Sequence, residues 1–425
     1  MPAVKRKGRA APAPGNQKGT GMTHVVVVGA GQAGLAVAAR LRADGFPGRI
    51  TLIGAEPHPP YQRPPLSKAY LLGEMEMERL FLRPESFYRE HDIDLRLGAP
   101  VAAIDTGRQV VVLETGAEIP YDELVLTTGS VPRRLPAAVG GDLDGVLVMR
   151  GIRDADRLAP ELHPGRRVLV IGGGYIGLEA AAVCAKRGLH VTLVEMAPRI
   201  LSRVAAPETS DYFRRLHEGM GVTIREGVGL DRLLGDEQGH VRAAVLSTGE
   251  EIPVDLALVG VGIMPSTKLA ESAGIEVENG IKVDPFGRTS ASHVWAAGDC
   301  ASFPHGEGRI RLESVGNAID QAEQVARNIM GADEPYAATP WFWSDQYDTK
   351  LQIAGLNTGY DRVVVRQVGE GLSHWYYCGD RLVAVDAMND SRAYMIGKRL
   401  LEAGKSPAPE VVTDPGTDLK ALLKA

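Results

Sequence analysis

Two copies of one glycine fingerprint constrain this chain more than any other feature: Gly29-x-Gly31-x-x-Gly34 in VVVVGAGQAG and Gly172-x-Gly174-x-x-Gly177 in VLVIGGGYIG. Each follows a short β-branched apolar run and opens an Ala/Leu-rich stretch of helical character. That strand–turn–helix setting is what a dinucleotide fold needs. Glycine permits the tight turn, the close approach of backbone to a pyrophosphate, and the close packing of helix on strand. The helix N-terminus then offers free N–H groups and its positive dipole end to the phosphates. One GxGxxG alone is a weak signal. Two in full context, each followed by a second strand with an acidic end, imply two dinucleotides. The economical pairing is a flavin with a nicotinamide, the two cofactors that exchange hydride.

The acidic residues sharpen the assignment. RITLIGAEP reads as a strand ending near Glu56, about 20 residues past the first glycines. HVTLVEMAP ends at Glu195 in the same relation to the second set. A carboxylate there accepts hydrogen bonds from ribose hydroxyls and repels a 2′-phosphate, so the second site is read as preferring NADH. Arg199, four residues on, is the feature that argues for NADPH instead.

At 425 residues the chain exceeds a single simple core, and two or three domains are expected. A net charge of −6 gives no support for nucleic-acid binding. No apolar run approaches the roughly 18–20 residues of a membrane span. The three cysteines, Cys184, Cys300 and Cys378, form no Cys-x-x-Cys pair, so the dithiol relay of many two-dinucleotide flavoproteins is absent from the pattern. They read as reduced thiols of a cytoplasmic protein. Residues 1–22, with Lys5, Arg6, Lys7, Arg9 and Lys18 among Pro, Gly and Ala, read as a disordered tail from an upstream start or an added extension before Met22.

Along the chain, a first α/β unit is followed by the Pro-punctuated YQRPPLSKAYL, expected to lead into a helix near Ser67. A β-pair around Thr115-Gly116 follows, and Val131–Arg150 reads as a linker. The second unit repeats the plan, with its own β-pair around Thr248-Gly249. HVWAAGDCA and a helix from about Asn317 to Met330 then return to features of the first unit, so the second is read as inserted into it. The predicted fold class is α/β, with two Rossmann-like dinucleotide-binding domains and a C-terminal α+β domain. The expected boundaries are 23–130 with 263–334 for the FAD-binding domain, 131–262 for the NAD-binding domain and 335–425 for the C-terminal domain.

VVVVGAGQAG, YQRPPLSKAYL, LVLTTGSVPR, VIGGGYIGLEAA, VWAAGDCA, ESVGNAIDQA and PWFWSDQY together carry a resemblance over nearly the whole chain from Met22. The chain resembles the FAD- and NAD(P)H-dependent ferredoxin reductases of the glutathione-reductase-like superfamily. The putidaredoxin and rubredoxin reductase branches look nearest, and apoptosis-inducing factor lies further off. The resemblance implies hydride transfer from NADH to FAD, then single electrons to an acidic 2Fe–2S ferredoxin serving a haem-thiolate monooxygenase or another oxygenase. A rubredoxin reductase or a dioxygenase reductase component would use the same cofactors. A redox-sensing flavoprotein is the alternative of another class.

The resemblance also implies site roles. Lys68 is placed near flavin N5, paired with Glu179 facing the nicotinamide. Arg63, Arg150 and Asp299 are implied FAD contacts, with Val315 near the pyrimidine edge and Val101 at the adenine. Trp341, Phe342, Trp343 and Tyr347 are placed near the flavin, ordinary core being the alternative. Arg79, Arg83, Arg89, Arg309 and Arg311 are candidates for a basic docking patch.

Overall fold

The computed structural model describes residues 23–424; the tail at 1–22 lies outside them. The valines before the first fingerprint are buried throughout, as a central parallel strand covered on both faces requires. His24–Val28 is the middle of a five-stranded sheet, with Arg49–Ile53 and Ile93–Arg96 on one side and Glu123–Leu126 and Val294–Ala296 on the other. All its pairings are parallel. The chain leaves this sheet after Leu126 and returns to it only at Val294, where Val294 pairs with Leu124.

Between these points it builds a second parallel sheet, in the order Thr223–Glu226, His190–Glu195, Arg167–Ile171, Leu256–Val259 and Val146–Leu147. The second dinucleotide-binding unit is therefore inserted into the first. Each unit carries a three-stranded antiparallel ladder. In the first, the turn at Thr115-Gly116 joins Val110–Leu113 to Glu118–Pro120. In the second, Thr248-Gly249 joins Val241–Leu246 to Glu251–Pro253.

The stretch expected to be a linker is built into the fold. Ser130–Pro132 pairs antiparallel with Ile263–Pro265, tying together the two chain crossings between the units. Val146 and Leu147 pair with Ala257 and Leu258 and become the edge strand of the second sheet. The Pro and Gly content reflects tight turns, such as the short helix Ala137–Val139 closed by Gly140 at φ +83°, rather than a free connection.

Residues from Trp341 form a five-stranded antiparallel sheet in the order Trp341–Gln346, Thr349–Gly355, Arg381–Met388, Gly371–Cys378, Arg362–Val368. The helix Ser391–Glu402 packs on it through Ala393, Ile396 and Leu400. This third domain does not stand apart. Leu351 and Met388 share one core with Leu178 and Phe213 of the second unit. In the first unit, the helices Gln32–Ala43 and Val315–Ile329 meet through small residues, with Ala33, Ala38, Ala322 and Ala326 buried together.

Candidate active site

The glycines divide into two kinds. Gly29 has φ +117°, and a Cβ there would stand 2.1 Å from the Thr127 carbonyl oxygen; at Gly34 it would stand 2.0 Å from the Gly29 oxygen. Gly172 (φ +105°) and Gly177 repeat this, with distances of 2.4 Å to the Gly260 oxygen and 2.1 Å to the Gly172 oxygen. These four are required by the protein's own packing. Gly31 and Gly174 are different: a Cβ on either meets nothing within 4 Å. Each is the N-cap of a helix twelve residues long with no side-chain cap and no acidic residue in its first turn. Two open cradles at uncapped helix N-termini, each kept bare by its middle glycine, fit two pyrophosphates.

In the first unit, Glu56 lies just beyond the strand Arg49–Ile53. Its carboxylate accepts from Arg63 Nη2 and from the Tyr61 hydroxyl, both at 2.6 Å. Burial works against ionisation of Glu56, and the Arg63 charge with these hydrogen bonds outweighs it, so its pKa lies below the ordinary value. Arg63 Nη1 also donates to the Arg150 carbonyl at 2.9 Å. The structure joins Arg150 to Asp299: Arg150 Nη2 lies 3.1 Å from Asp299 Oδ2, and the Ser130 hydroxyl donates to the same oxygen at 2.8 Å. Val315 opens the helix Val315–Ile329, capped by Ser314, and Val101 opens the strand Val101–Asp105, half-buried against the first unit's core.

In the second unit, Glu195 closes its strand against the fingerprint loop. Its carboxylate accepts from the backbone N–H of Gly173 and of Ala197, both at 2.7 Å. Arg199 is tied to the Ser210 hydroxyl at 2.5 Å and to the Ser202 carbonyl at 3.3 Å.

The two units meet at Lys68 and Glu179. The prolines of PPLSK fix a single 3₁₀ turn, Pro64–Ser67, where the sequence predicted the start of a longer helix. Lys68 follows that turn, and its Nζ lies 2.8 Å from Glu179 Oε2. Glu179 is the fifth residue of the helix Tyr175–Lys186, past the first turn, so complementing the helix dipole does not account for it. Its side chain is only 3% exposed. Two further donors complete it, both absent from the sequence reading: Ser67 Oγ to Oε2 and Ser344 Oγ to Oε1, each at 2.7 Å. The first unit, the second unit and the third domain thus converge on one buried carboxylate.

On the strand Trp341–Gln346 the aromatic side chains are half-buried, while Ser344 and Gln346 are fully buried. Trp341, Phe342 and Trp343, all half-buried, line an open cavity of about 230 Å³ with Lys350, Gln352 and Tyr394. Trp341 and Trp343 stack at 5.6 Å, and the Phe342 ring lies 4.8 Å from that of Tyr175. Tyr347 is elsewhere, with its ring 5.1 Å from His217.

Two of the arginines considered for docking are internal braces. Arg309 donates to the Val283 and Ser302 carbonyls, and Arg311 to those of Asn279 and Asp299 while pairing with Glu313. The three cysteines are free, and burial pushes the Cys184 thiol up to about 12 and raises that of Cys300.

Two dinucleotide cradles bridged by a lysine–carboxylate pair define a two-dinucleotide oxidoreductase. The chain belongs to the pyridine nucleotide-disulphide oxidoreductase family, matched over residues 23–322, followed by a reductase C-terminal domain over 341–423. It is an oxidoreductase of the kind that uses FAD and NAD(P)H. It is 46% identical to a ferredoxin–NAD(P)(+) reductase of Sphingomonas sp., covering 94% of this chain and 97% of that protein. It is 40% identical to putidaredoxin reductase of Pseudomonas putida, covering 95% and 97%. Among solved structures, it matches the reductase in the covalent putidaredoxin reductase–putidaredoxin complex with a TM-score of 0.91 at 39% identity, covering 95% of this chain and 99% of that one. The ferredoxin reductase for the CYP199A2 system of Rhodopseudomonas palustris matches with a TM-score of 0.90 at 40% identity, covering 94% and 99%. No helix among the described residues is long and apolar enough to cross a membrane.

Proposed function

We propose that this chain is an NADH-dependent ferredoxin reductase that passes hydride from NADH to FAD and then single electrons to a 2Fe–2S ferredoxin serving an oxygenase. The observation that carries the reading is the Lys68–Glu179 pair, one partner from each dinucleotide-binding unit, at 2.8 Å. FAD supplies both hydride acceptance and single-electron release. The chain's own contribution is electrostatic. Lys68 holds a cation where negative charge grows as hydride arrives, and Glu179 fixes its direction. The first cradle, with Glu56, Arg63, Arg150 and Asp299, is the seat of FAD. The second cradle, with Glu195, takes NADH: its carboxylate faces the loop where a ribose would sit, and Arg199 is engaged by Ser210 and Ser202 instead of standing free for a 2′-phosphate.

The acceptor is read as a ferredoxin because the relatives named for ferredoxin-type acceptors are 40–46% identical over 94–95% of this chain, whereas those named rubredoxin reductase are 39–40% identical over 86%. Buried, unpaired Cys184 and Cys300 give a disulfide acceptor no relay. A supply of NADH and free thiols both suit a cytoplasmic location.

An acceptor panel tests this. Purified protein with NADH should reduce a small acidic 2Fe–2S ferredoxin faster than a rubredoxin or a disulfide. That advantage should shrink as salt rises past roughly 0.1 M, where the Debye length is about 10 Å. Disulfide reduction outrunning the ferredoxin would overturn the assignment.

A further inference from the structure

Ser344 does more than touch Glu179. It is one link in a line of hydrogen bonds running from the hydride site to the far side of the seam between the second unit and the third domain. Gln346 Nε2 lies 3.1 Å from Ser344 Oγ, His217 Nε2 lies 2.8 Å from Gln346 Oε1, and the Tyr347 hydroxyl lies 3.3 Å from His217 Nδ1. Ser344, Gln346 and His217 have no exposed surface. His217 comes from the helix Pro207–Gly219 of the second unit; the others come from the first strand of the third domain and the turn after it.

One end of the line determines every direction in it. The carboxylate of Glu179, ion-paired with Lys68, can only accept. The single proton of Ser344 Oγ therefore points at Glu179, and its lone pair must take an N–H from Gln346. Gln346 then turns its carbonyl to His217, which must donate from Nε2 and so keeps Nδ1 bare to accept from Tyr347. All the donors aim towards Glu179. Burial lowers the His217 pKa, although the Gln346 hydrogen bond works the other way, in keeping with the single-proton imidazole this order needs.

The strand's alternation makes the arrangement possible. Phe342, Ser344 and Gln346 share the face that meets Tyr175, Glu179 and His217. Trp341 and Trp343 lie on the opposite face, where Lys398 Nζ sits 5.3 Å from the Trp341 ring.

We propose that Ser344 and Gln346 are positioning residues for hydride transfer: the third domain holds Glu179, and through it Lys68, in the orientation that the reaction uses. This rests on the reading of the Lys68–Glu179 pair given above. Removing the Ser344 hydroxyl leaves Oε1 of a buried carboxylate without a donor, and the carboxylate then turns to share Lys68 between its oxygens, drawing the ammonium from its place.

The test uses the FAD-loaded protein mixed anaerobically with NADH, reading the limiting rate of flavin reduction separately from the NADH dissociation constant. Ser344→Ala should slow the limiting rate by about 10–100-fold, the range for loss of a hydrogen bond to a charged group, with NADH affinity little changed. Ser344→Thr, which keeps the hydroxyl, should restore most of the rate. Gln346→Met, one bond further out, should show a smaller loss in the same parameter, and it serves if Ser344→Ala does not fold. The flavin midpoint potential should become more negative in Ser344→Ala, because a displaced cation stabilises reduced flavin less. Placed on Lys68→Ala, Ser344→Ala should add almost nothing to either readout. If Lys68→Ala slows reduction while Ser344→Ala and Gln346→Met do not, positioning by the third domain is wrong and the pair's role stands. A wild-type rate in Lys68→Ala overturns both.

Discussion

The two fingerprint units have the same backbone and different surroundings. In both, the first glycine takes a positive φ and the third lies within contact of the first, so both loops are shaped by the same collisions. They part company at their acidic residues. Glu56 is held by side chains, Arg63 and Tyr61, which link on to Arg150 and Asp299 in a network spanning distant parts of the chain. Among the described residues, Glu195 is held by two backbone N–H groups of its own unit and by no side chain. A seat closed by side chains from several segments suits a cofactor that stays; a seat made of one loop and one strand end suits one that comes and goes. On the assignment proposed above, one fold used twice becomes a permanent site and an exchangeable site through what is packed around it.

The largest expected effect separates the two. Gly31 (φ −102°) and Gly174 (φ −80°) have backbone angles that alanine adopts freely, and the added methyl meets no protein atom. Gly31→Ala should therefore fold and lose FAD, abolishing all activity. Gly174→Ala should keep FAD and weaken NADH by roughly tenfold or more, in line with the need for close backbone approach. FAD stoichiometry and NADH titration of the two variants decide it, and a Gly31→Ala protein that stays yellow breaks the comparison.

Next comes the pair between the units. Lys68→Ala and Glu179→Ala should each slow flavin reduction by on the order of 10–1000-fold while NADH binding changes less, since the cation acts on charge that develops in the transition state. Stopped-flow bleaching of the flavin at varied NADH gives both parameters.

Glu195→Gln sharpens the second site. The amide keeps only one acceptor for the two backbone N–H groups and no longer repels a 2′-phosphate. The preference for NADH over NADPH should narrow by roughly tenfold, about 1.4 kcal/mol, measured as the ratio of kcat/KM values.

The remaining effect is on stability rather than on catalysis, and concerns the seam that supports the second unit. Thr209 donates to Asp386 at 2.8 Å and lies 2.7 Å from His374 Nδ1, and Tyr376 donates to Asp386 and accepts from the Ala206 N–H. Burial pushes Asp386 up to about 6, against the Tyr376 and Thr209 hydrogen bonds, and pushes His374 down to about 4. Folded Asp386 keeps its proton between 3.8 and about 6 where the unfolded chain has lost it, so its contribution to stability falls as pH rises through that window. Folded His374 lacks a proton between about 4 and 6.5 that the unfolded chain binds, so its contribution rises with pH. In the wild type the two offset. Asp386→Asn should leave the histidine's contribution unopposed, so that the variant's stability rises more steeply with pH than the wild type's between about pH 4 and 6, the two slopes differing by at most about 1.4 kcal/mol per pH unit. Denaturant midpoints across that range test it.

The fingerprints, the insertion of one unit in the other and the strands of the third domain were legible because each rests on local pattern: glycine spacing, β-branched runs and turn dipeptides. The pairing of Lys68 with Glu179 was implied by their motifs, and the two side chains do meet. Ser67, Ser130 and Ser344 were not legible, although each lies in or beside a marked motif. A serine on a strand or in a tight turn carries no periodic signal, and its partner here is 112 to 169 residues away. The stretch from Val131 to Arg150 misled because proline and glycine mark tight, packed turns as readily as free chain. Arg309 and Arg311 misled because charge along the sequence says nothing of the carbonyls that the fold aims at it.

The central claim is that NADH electrons enter through FAD and leave singly to an iron–sulfur protein. A sequential anaerobic stopped-flow experiment tests it most directly: the FAD-loaded protein is first mixed with one equivalent of NADH, then with excess oxidised 2Fe–2S ferredoxin. The account predicts bleaching of the flavin in the first step, then its recovery with reduction of two ferredoxins per NADH. A flavin that NADH does not bleach, or one that bleaches and then leaves the ferredoxin oxidised, would contradict it.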